Sequence, residues 1–284
     1  MHFFNEHSLK AYKDAHHDNH LILYKHTPPN EGSLRIIANE TIKYTSPDEF
    51  NDPNDCSFHL KINFNNYTKQ DAEEHLGENI PDSNWPKFFP IFKSIYEPFF
   101  LEKMKSLKSS FGVSCFNNAP LETLMWSHYA GNHKGFMAEF KFNPSENDEY
   151  LDIPLVVEYS DKFPAIEIPA TDPSKWVGMD THAVVNKAFC SKSSNWKYEK
   201  EFRLIKGKYD ANNISTQIEK FNPCMLNSII LGAKVEPDYE QQVRSLVHNF
   251  NERNSQNILI YKAIFLEHSY ELTIPNHPYL DREA

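Results

Sequence analysis

The run Leu21-Ile22-Leu23-Tyr24-Lys25-His26, followed by Thr27-Pro28-Pro29, indicates the fold most directly. A short apolar run that stops at two prolines is typical of a β-strand, because proline cannot donate to a ladder of backbone hydrogen bonds. Outward from this run, residues 56–64 alternate apolar and polar side chains, and residues 111–117 and 135–142 are also predicted strands. Several predicted strands follow one another without a crossover helix. The sequence therefore predicts an α+β fold with a mixed, mostly antiparallel sheet and flanking helices. The other predicted strands cover 41–45, 156–159, 199–205, 228–231, 258–265 and 270–274, and the predicted helices cover 31–38, 122–130, 182–189 and a segment that begins at Pro237.

Residues 68–110 differ in composition from the rest of the chain. They are rich in aromatic side chains and contain Pro81, Pro86, Pro90 and Pro98. Because proline interrupts the interior of a helix, we expect a helical insertion, or lid, that is broken at these prolines. No repeat or long Gly/Ser linker is visible, so the sequence predicts a single domain over 1–284 that carries this insertion.

Composition narrows the classes of function. The chain of 284 residues has 29 basic and 39 acidic residues and a net charge of −10, which argues against a generic affinity for nucleic-acid backbone or anionic lipid. There are only 8 glycines, and neither GxGxxG nor GxxxxGK[ST] occurs, which excludes the usual nucleotide-binding loops. The four cysteines form no CxxC pair, so we expect reduced thiols in the core and no metal site. The first residues do not resemble a signal peptide and no long apolar segment occurs, so a cytoplasmic protein without membrane contact is expected.

The stretch Tyr198-Glu199-Lys200-Glu201-Phe202-Arg203-Leu204-Ile205 contains the candidate catalytic residues. Alternate side chains of a strand share a face, so Glu199, Glu201 and Arg203 are predicted to project together. Two carboxylates suit a reaction in which positive charge develops on a sugar. One stabilises the oxocarbenium-like centre or holds a ribose hydroxyl, and the other orients a nucleophile. The alternative is a solvent-facing strand whose Glu–Arg ion pairs contribute little.

Four further residues are candidates for binding. Trp126 and Tyr129 lie three apart on a predicted helix, where they could stack on a planar ring or simply pack in the core. Ser114 could hold an amide or a ribose at the floor of a cleft, or be satisfied by backbone groups. Asp52, in the turn Asn51-Asp52-Pro53, is predicted to pair with Arg203 and so fix the strand that bears the glutamates, unless it only shapes the turn.

Together these segments resemble a bacterial family of unknown function, domain-of-unknown-function family two-nine-seven-one. Two departures from its pattern are Asn54-Asp55, where an aromatic residue and a glutamate are usual, and His26-Thr27, where Tyr-Arg or similar is usual. The motifs that carry the resemblance run in order over nearly the whole chain: Leu23-Tyr24-Lys25, Ser46-Pro47 with Phe50-Asn51-Asp52-Pro53, Ser114-Cys115-Phe116, Leu124-Met125-Trp126-Ser127-His128-Tyr129-Ala130 with His133-Lys134-Gly135, Val157-Glu158-Tyr159, Trp196-Lys197-Tyr198-Glu199-Lys200-Glu201-Phe202-Arg203 and Ile229-Ile230-Leu231-Gly232.

More loosely, a Leu-Tyr-basic strand, then a serine-containing strand, then a Glu-x-Glu strand is similar to the order found in ADP-ribosyltransferases. This resemblance implies a split sheet and NAD as the substrate cofactor, with no glycine-rich phosphate loop. It implies that NAD is held by Ser114 together with either Lys25 or His26. It also implies that Glu201 is catalytic, with Glu199 beside it. Lys25 and His26 point to opposite faces of a strand, so only one of them would serve.

Three functions remain open from the sequence. The first is an NAD-using transferase that modifies a nucleic acid or a protein, as a bacterial toxin or phage-defence effector. The second is a non-catalytic module that binds a nucleotide, a nucleic-acid end or a protein through a cleft lined by Trp126, Tyr129 and Arg203. The third is a Mg²⁺-dependent nuclease that uses Asp52, Glu199 and Glu201 as ligands.

Overall fold

An eight-stranded sheet lies at the centre of this computed structural model, which describes residues 6–143, 153–171, 181–207, 210, 212–213 and 217–282. The strands are β1 (His16–His17), β2 (His20–Thr27), β3 (Thr41–Lys43), β4 (His59–Asn63), β5 (Gly112–Asn117), β6 (Phe136–Phe142), β7 (Leu155–Val156), β8 (Glu158–Ser160), β9 (Ala165–Pro169), β10 (Ser191–Ser193), β11 (Glu201–Lys206), β12 (Ile218–Lys220), β13 (Leu226–Leu231), β14 (Leu259–Lys262), β15 (Ile264–Phe265) and β16 (Leu272–Thr273). The helices are α1 (Glu6–Asp14), α2 (Glu31–Asn39), α3 (Lys69–Leu76), α4 (Trp85–Lys108), α5 (Thr123–Tyr129), α6 (Thr181–Phe189) and α7 (Pro237–Asn254).

The strand order of the central sheet is β14-β13-β6-β2-β5-β11-β7, with β1 paired to β2. Neighbouring strands in it are antiparallel except β13 and β14, so the predicted α+β class with a mixed, mostly antiparallel sheet is confirmed. The pairing is uneven along β2. On one side β2 pairs with β6 from Leu21 to Thr27, whereas on the other it pairs with β5 only at Tyr24↔Asn117. The sheet is therefore weakly joined between β2 and β5.

Both faces of β2 are covered by core residues. Leu21 and Leu23 pack in a cluster that includes residues of α2 and α7, whereas Ile22 and Tyr24 pack in another that includes Trp126 of α5. Burial on both faces explains why the strand is almost continuously apolar. The same packing draws the polar end of β2, Lys25-His26-Thr27, towards the interior of the protein.

The segment 68–110 forms α3 and α4, and α4 continues through Pro90 and Pro98. The predicted breaks at these two prolines are therefore wrong. A proline inside a helix removes the hydrogen bond to the carbonyl four residues earlier. Here those carbonyls belong to Pro86 and Ser94, which are exposed residues, so water can replace the lost donors. That this segment is an insertion in a single domain stays a prediction.

The predicted strand 199–205 begins two residues late. Residues Ser194–Glu199 form a 3-10 helix, and Lys200 then adopts a left-handed conformation with φ of 47° before β11 starts. Glu199 consequently does not share a strand face with Glu201 and Arg203, and that prediction is wrong. Among the described residues, no helix is long and apolar enough to cross a membrane.

Candidate active site

A cleft of about 400 Å³ lies between the ends of β2, β5 and β11 and the helix α5. This volume is within the usual range for small-molecule sites. The cleft is lined by Lys25, His26, Lys43, Thr45, Glu49, Phe50, Asn51, Asp55, Val113, Cys115, Phe116, Asn117, Met125, His128, Tyr129, Lys192, Glu199 and Glu201.

Five charged side chains, each at most 5% exposed, form an ion cluster at one wall of this cleft: Asp55, Lys192, Glu199, Glu201 and Arg203. The Lys192 Nζ atom lies 2.6 Å from Glu199 Oε2, 2.9 Å from Glu201 Oε2 and 3.4 Å from Asp55 Oδ2. Arg203 donates from Nε to Glu201 Oε1 at 2.7 Å and from Nη2 to Asp55 Oδ2 at 2.8 Å. Such a cluster is tolerated in the interior because each charge has an opposite partner.

The two glutamates of the ion cluster have opposite pKa shifts. Burial raises the pKa of Glu199 to about 7, and the negative charge of Glu201 acts in the same direction. Burial also acts to raise the pKa of Glu201, but the charges of Arg203 and then Lys192 outweigh it and hold this pKa below its usual range. At neutral pH Glu201 is therefore an anion, whereas Glu199 can gain or lose a proton.

Short local elements bring the members of the ion cluster together. β10 carries Lys192 and pairs in parallel with β8, where Lys192 lies opposite Tyr159. The Tyr159 hydroxyl accepts a hydrogen bond from the backbone N–H of Glu201 at 2.8 Å, which ties β8 to the start of β11. The Ser193 side chain caps the 3-10 helix that returns the chain to Glu199.

Lys25 reaches the cleft from β2 and is anchored by β5. Its ammonium group donates to Ser114 Oγ at 3.1 Å and to the carbonyl of Cys115 at 2.9 Å, and it lies 5.1 Å from the centroid of the Phe116 ring. Burial lowers the pKa of Lys25, although Cys115 and Glu201 act in the opposite direction. Ser114 is itself 1% exposed and therefore acts on the cleft through Lys25.

His26 also lines the cleft, and its protonation is set by Asn117. Asn117 Oδ1 accepts from the N–H of Ala119 at 3.0 Å, which turns its Nδ2 group towards His26 Nδ1 at 3.0 Å. Because Asn117 donates there, Nδ1 must accept and the imidazole proton lies on Nε2. Burial, assisted by the charge of His133, lowers the pKa of His26 to about 3, so the ring is neutral. Within the described residues the buried Nε2–H has no hydrogen-bond partner.

Residues 125–204 match the model of a family described as Protein of unknown function (DUF2971). The match confirms the resemblance to this family, and it spans Tyr129, Lys192, Glu199, Glu201 and Arg203 of the site. No curated protein matches the chain, and no solved structure does. None of these comparisons supports the resemblance to ADP-ribosyltransferases.

Within the DUF2971 segment, only one of the two aromatic residues singled out from the sequence lines the cleft. Tyr129 does so, and its hydroxyl donates to Glu199 Oε1 at 2.6 Å. Trp126 is fully buried, and its Nε1 donates to the carbonyl of Pro120 at 2.7 Å while its ring packs edge-on against His26. The predicted aromatic shelf of both residues is therefore wrong. Trp126 belongs to the core beneath the cleft.

The predicted pairing of Asp52 with Arg203 is also wrong, because Asp55 takes that place. Asp52 Oδ1 accepts from the backbone N–H of Asn54 at 2.9 Å, and its Oδ2 accepts from Trp196 Nε1 at 2.7 Å. Asp52 therefore does not join the glutamates as the nuclease hypothesis requires. Across the ranges that the structure describes, no group of three His, Cys, Asp or Glu residues is arranged to hold a metal ion.

The lining of the cleft differs from the prediction at several residues. Only one of Lys25 and His26 was expected to face the ligand, but both line the cleft, because β2 pairs with β5 only at the preceding residue, Tyr24. Cys115 also lines the cleft, where burial and then the charge of Glu201 raise its pKa, so it is a thiol and not a nucleophile. Lys192 was missed because nothing in Ser191-Lys192-Ser193 distinguishes it from a surface lysine.

Cysteine burial was predicted only in part. Cys56 and Cys190 are buried, as expected for core residues, whereas Cys224 is exposed. All four cysteines are free thiols.

Proposed function

We propose that the cleft binds NAD and that the protein transfers the ADP-ribosyl group to an acceptor, which is a protein, a nucleic acid or water. The observation that carries this proposal is the meeting, in one cleft, of a cation from β2, held from behind by a hydroxyl of β5, with two carboxylates from β11 and the segment before it. Lys25, Ser114, Glu199 and Glu201 come from widely separated parts of the chain, yet Lys25 contacts Ser114 directly and both glutamates line the same cleft.

The two carboxylates suit two roles in breaking the bond between ribose C1′ and nicotinamide. As this bond breaks, its electron pair passes to the nicotinamide nitrogen and positive charge develops on the ribose. Glu201, which Arg203 and Lys192 keep ionised, stabilises that charge. A nucleophilic oxygen or nitrogen then forms the new bond to C1′, and its proton passes to Glu199, whose pKa of about 7 suits a general base.

Lys25 and His26 suit binding and orientation of the nucleotide. His26 lines the cleft with a neutral imidazole, which fits contact with an uncharged part of the ligand. Lys25 holds its position through Ser114 and Cys115 and presents its ammonium group to the same cleft. We place such an enzyme in the bacterial cytoplasm, as a toxin or a phage-defence effector.

The test is nicotinamide release from NAD by the purified protein, measured by chromatography across a range of pH. We expect the rate to rise with pH and to level off above about 7, because the basic form of Glu199 is required. Glu199→Gln should lower the rate by a factor of about 10²–10⁴, the usual contribution of a general base. Glu236→Gln, a change at an exposed glutamate paired with Lys134, is the matched control and should leave the rate unchanged.

Two results would contradict the proposal: wild-type protein that neither binds nor cleaves NAD, or Glu199→Gln and Glu201→Gln variants with full activity. A non-catalytic binding module is the second candidate, and one observation favours it. Both oxygens of Glu201 already accept hydrogen bonds, from Arg203 and from Lys192. This candidate predicts NAD binding without turnover, and binding that is lost in His26→Ala but kept in Glu201→Gln.

A further inference from the structure

Lys192 connects the two glutamates of the ion cluster. Glu199 ends a 3-10 helix and Glu201 begins β11, with the left-handed residue Lys200 between them. No ladder of backbone hydrogen bonds therefore fixes the separation of their carboxyl groups. Both carboxyl groups instead contact one ammonium group, at 2.6 Å and 2.9 Å.

Trp196 and Asp52 in turn hold Lys192. The Lys192 Nζ atom lies 5.2 Å from the centroid of the Trp196 ring, within the range of a cation–π contact. The indole N–H of Trp196 donates to Asp52 Oδ2 at 2.7 Å, and the backbone N–H of Asn54 holds the other oxygen of Asp52. The ammonium group is thus limited on one side by carboxylates and on the other by an indole ring whose own orientation is fixed.

We propose that Lys192 is a positioning residue, supported by Trp196 and Asp52, that fixes the separation of the carboxyl groups of Glu199 and Glu201. Its consequence for catalysis rests on the proposed function, since Glu199 and Glu201 are the carboxylates of that reaction. The arrangement itself does not depend on NAD. Asp52 was predicted to support the site by pairing with Arg203, but it supports the site by holding the ring of Trp196.

Loss of the positive charge of Lys192 is expected to change the protonation of the ion cluster. The ion cluster has three carboxylates and two cations, so without Lys192 three carboxylates share Arg203 alone. Arg203 contacts Glu201 and Asp55, so mutual repulsion then favours a proton on Glu199. In the part of the chain that the structure describes, the titratable and charged groups that face Glu199 and Lys192 come from several elements: Glu201 and Arg203 of β11, Asp55, Tyr129 of α5, Tyr159 of β8, Cys115 of β5 and Tyr198 of the 3-10 helix.

The experiment is an NMR pH titration of isotope-labelled glutamate side chains, without NAD, for the wild type, Lys192→Gln, Lys192→Arg and Trp196→Leu. We expect Lys192→Gln to move the Glu199 titration upwards by about 1–3 pH units, the usual effect of one nearby opposite charge. In Lys192→Arg the upward shift should be at most half as large, because arginine keeps the positive charge. Trp196→Leu should produce a smaller upward shift, since the lysine stays but its support is lost. Lys187→Gln, at an exposed lysine of α6, is the matched control and should change nothing.

An unchanged Glu199 titration in a folded Lys192→Gln variant overturns the proposal, and so does a shift that Lys192→Arg does not reduce. If Lys192→Gln fails to fold, the Trp196→Leu variant tests the proposal in its place. A Glu199 titration in Trp196→Leu that is identical to that of the wild type overturns the proposal. Because no step uses NAD, failure of NAD cleavage in the wild type contradicts the proposed function and leaves this result intact.

Discussion

Replacing the buried Arg203 by methionine is expected to lower the free energy of unfolding by about 3–5 kcal/mol, the usual cost of removing one partner from a buried ion pair. Arg203 is fully buried and donates to Glu201 at 2.7 and 3.0 Å and to Asp55 at 2.8 Å. It also donates to the carbonyl of Phe189 at 2.6 Å. Methionine keeps much of the side-chain volume, so the loss is mainly electrostatic: two buried carboxylates would retain only the ammonium group of Lys192.

Thermal and urea unfolding at neutral pH would measure this loss. For a chain of 284 residues, an unfolding entropy of about 0.6 kcal/mol per kelvin converts 3–5 kcal/mol into a fall of about 5–8 °C in Tm. Arg282→Met is the matched control. Arg282 is 49% exposed and pairs with Glu271, which is 62% exposed, so its replacement should cost less than about 1 kcal/mol.

The pH dependence gives a second check on the same variant. The folded-state pKa of Glu201 is depressed, so its contribution to stability is complete above its unfolded pKa and is lost as the pH falls towards the folded value. Without Arg203 that depression is reduced, and the difference in stability between wild type and Arg203→Met should narrow in acid. A loss below about 1 kcal/mol at neutral pH, or a difference that widens on acidification, would refute the electrostatic reasoning.

Three further changes test other parts of the fold. In Gly135→Ala the new Cβ would lie 1.9 Å from the carbonyl oxygen of Thr27, so the variant should lose at least about 1–3 kcal/mol in urea unfolding or fail to accumulate as soluble protein; full stability would show that the close approach is absent. His277→Leu removes the hydrogen-bond partner that lies 2.8 Å from the buried carboxyl group of Glu139, and it should cost about 1–3 kcal/mol by the same assay, whereas an unchanged midpoint would contradict a buried hydrogen bond there. Native alkylation followed by mass spectrometry should label the exposed Cys224 and spare the buried Cys56 and Cys190 until the protein is denatured; rapid labelling of Cys56 or Cys190 would contradict their burial.

The strands of the central sheet other than β1 were predictable from local pattern, and β2 shows why. Its apolar run and the two prolines after it are properties of adjacent residues, and both survive in the structure as a strand buried on both faces. Lys200 shows the opposite case. The alternation of side chains around Lys200 fits a strand, but a left-handed φ of 47° at Lys200 ends the preceding 3-10 helix. A lysine at this position does not indicate a left-handed conformation.

Helix α4 shows a second limit of local reasoning. Each proline inside it costs a backbone hydrogen bond, which from sequence alone argues for a break. In the structure, Phe92 is buried and Tyr96 packs partly against the same core, while the prolines lie on the exposed side. Packing along one face therefore keeps the helix continuous. Which face a proline occupies depends on the tertiary structure.

The candidate site was predictable where its residues are close in the sequence and not where distant segments of the chain meet. Glu199, Glu201 and Arg203 lie within five residues of one another, so a motif could indicate them. Asp55 and Lys192 meet them only through the turn after Asp52 and the short ladder between β8 and β10. Asp52 and Asp55 are equivalent in sequence, and only the fold of that turn decides that Asp55 contacts Arg203 while Asp52 contacts Trp196.

The difference between Glu199 and Glu201 follows from how the cations are shared. With every member ionised, the ion cluster would carry one net negative charge in a region shielded from water, which is costly. Arg203 contacts Glu201 through two nitrogens, whereas Glu199 receives one contact from Lys192 and one from the neutral hydroxyl of Tyr129. The surplus charge is therefore most easily removed by a proton on Glu199. Two identical side chains thus acquire an acid–base asymmetry from their neighbours, and a Glu-x-Glu motif by itself could not reveal which of them carries the proton.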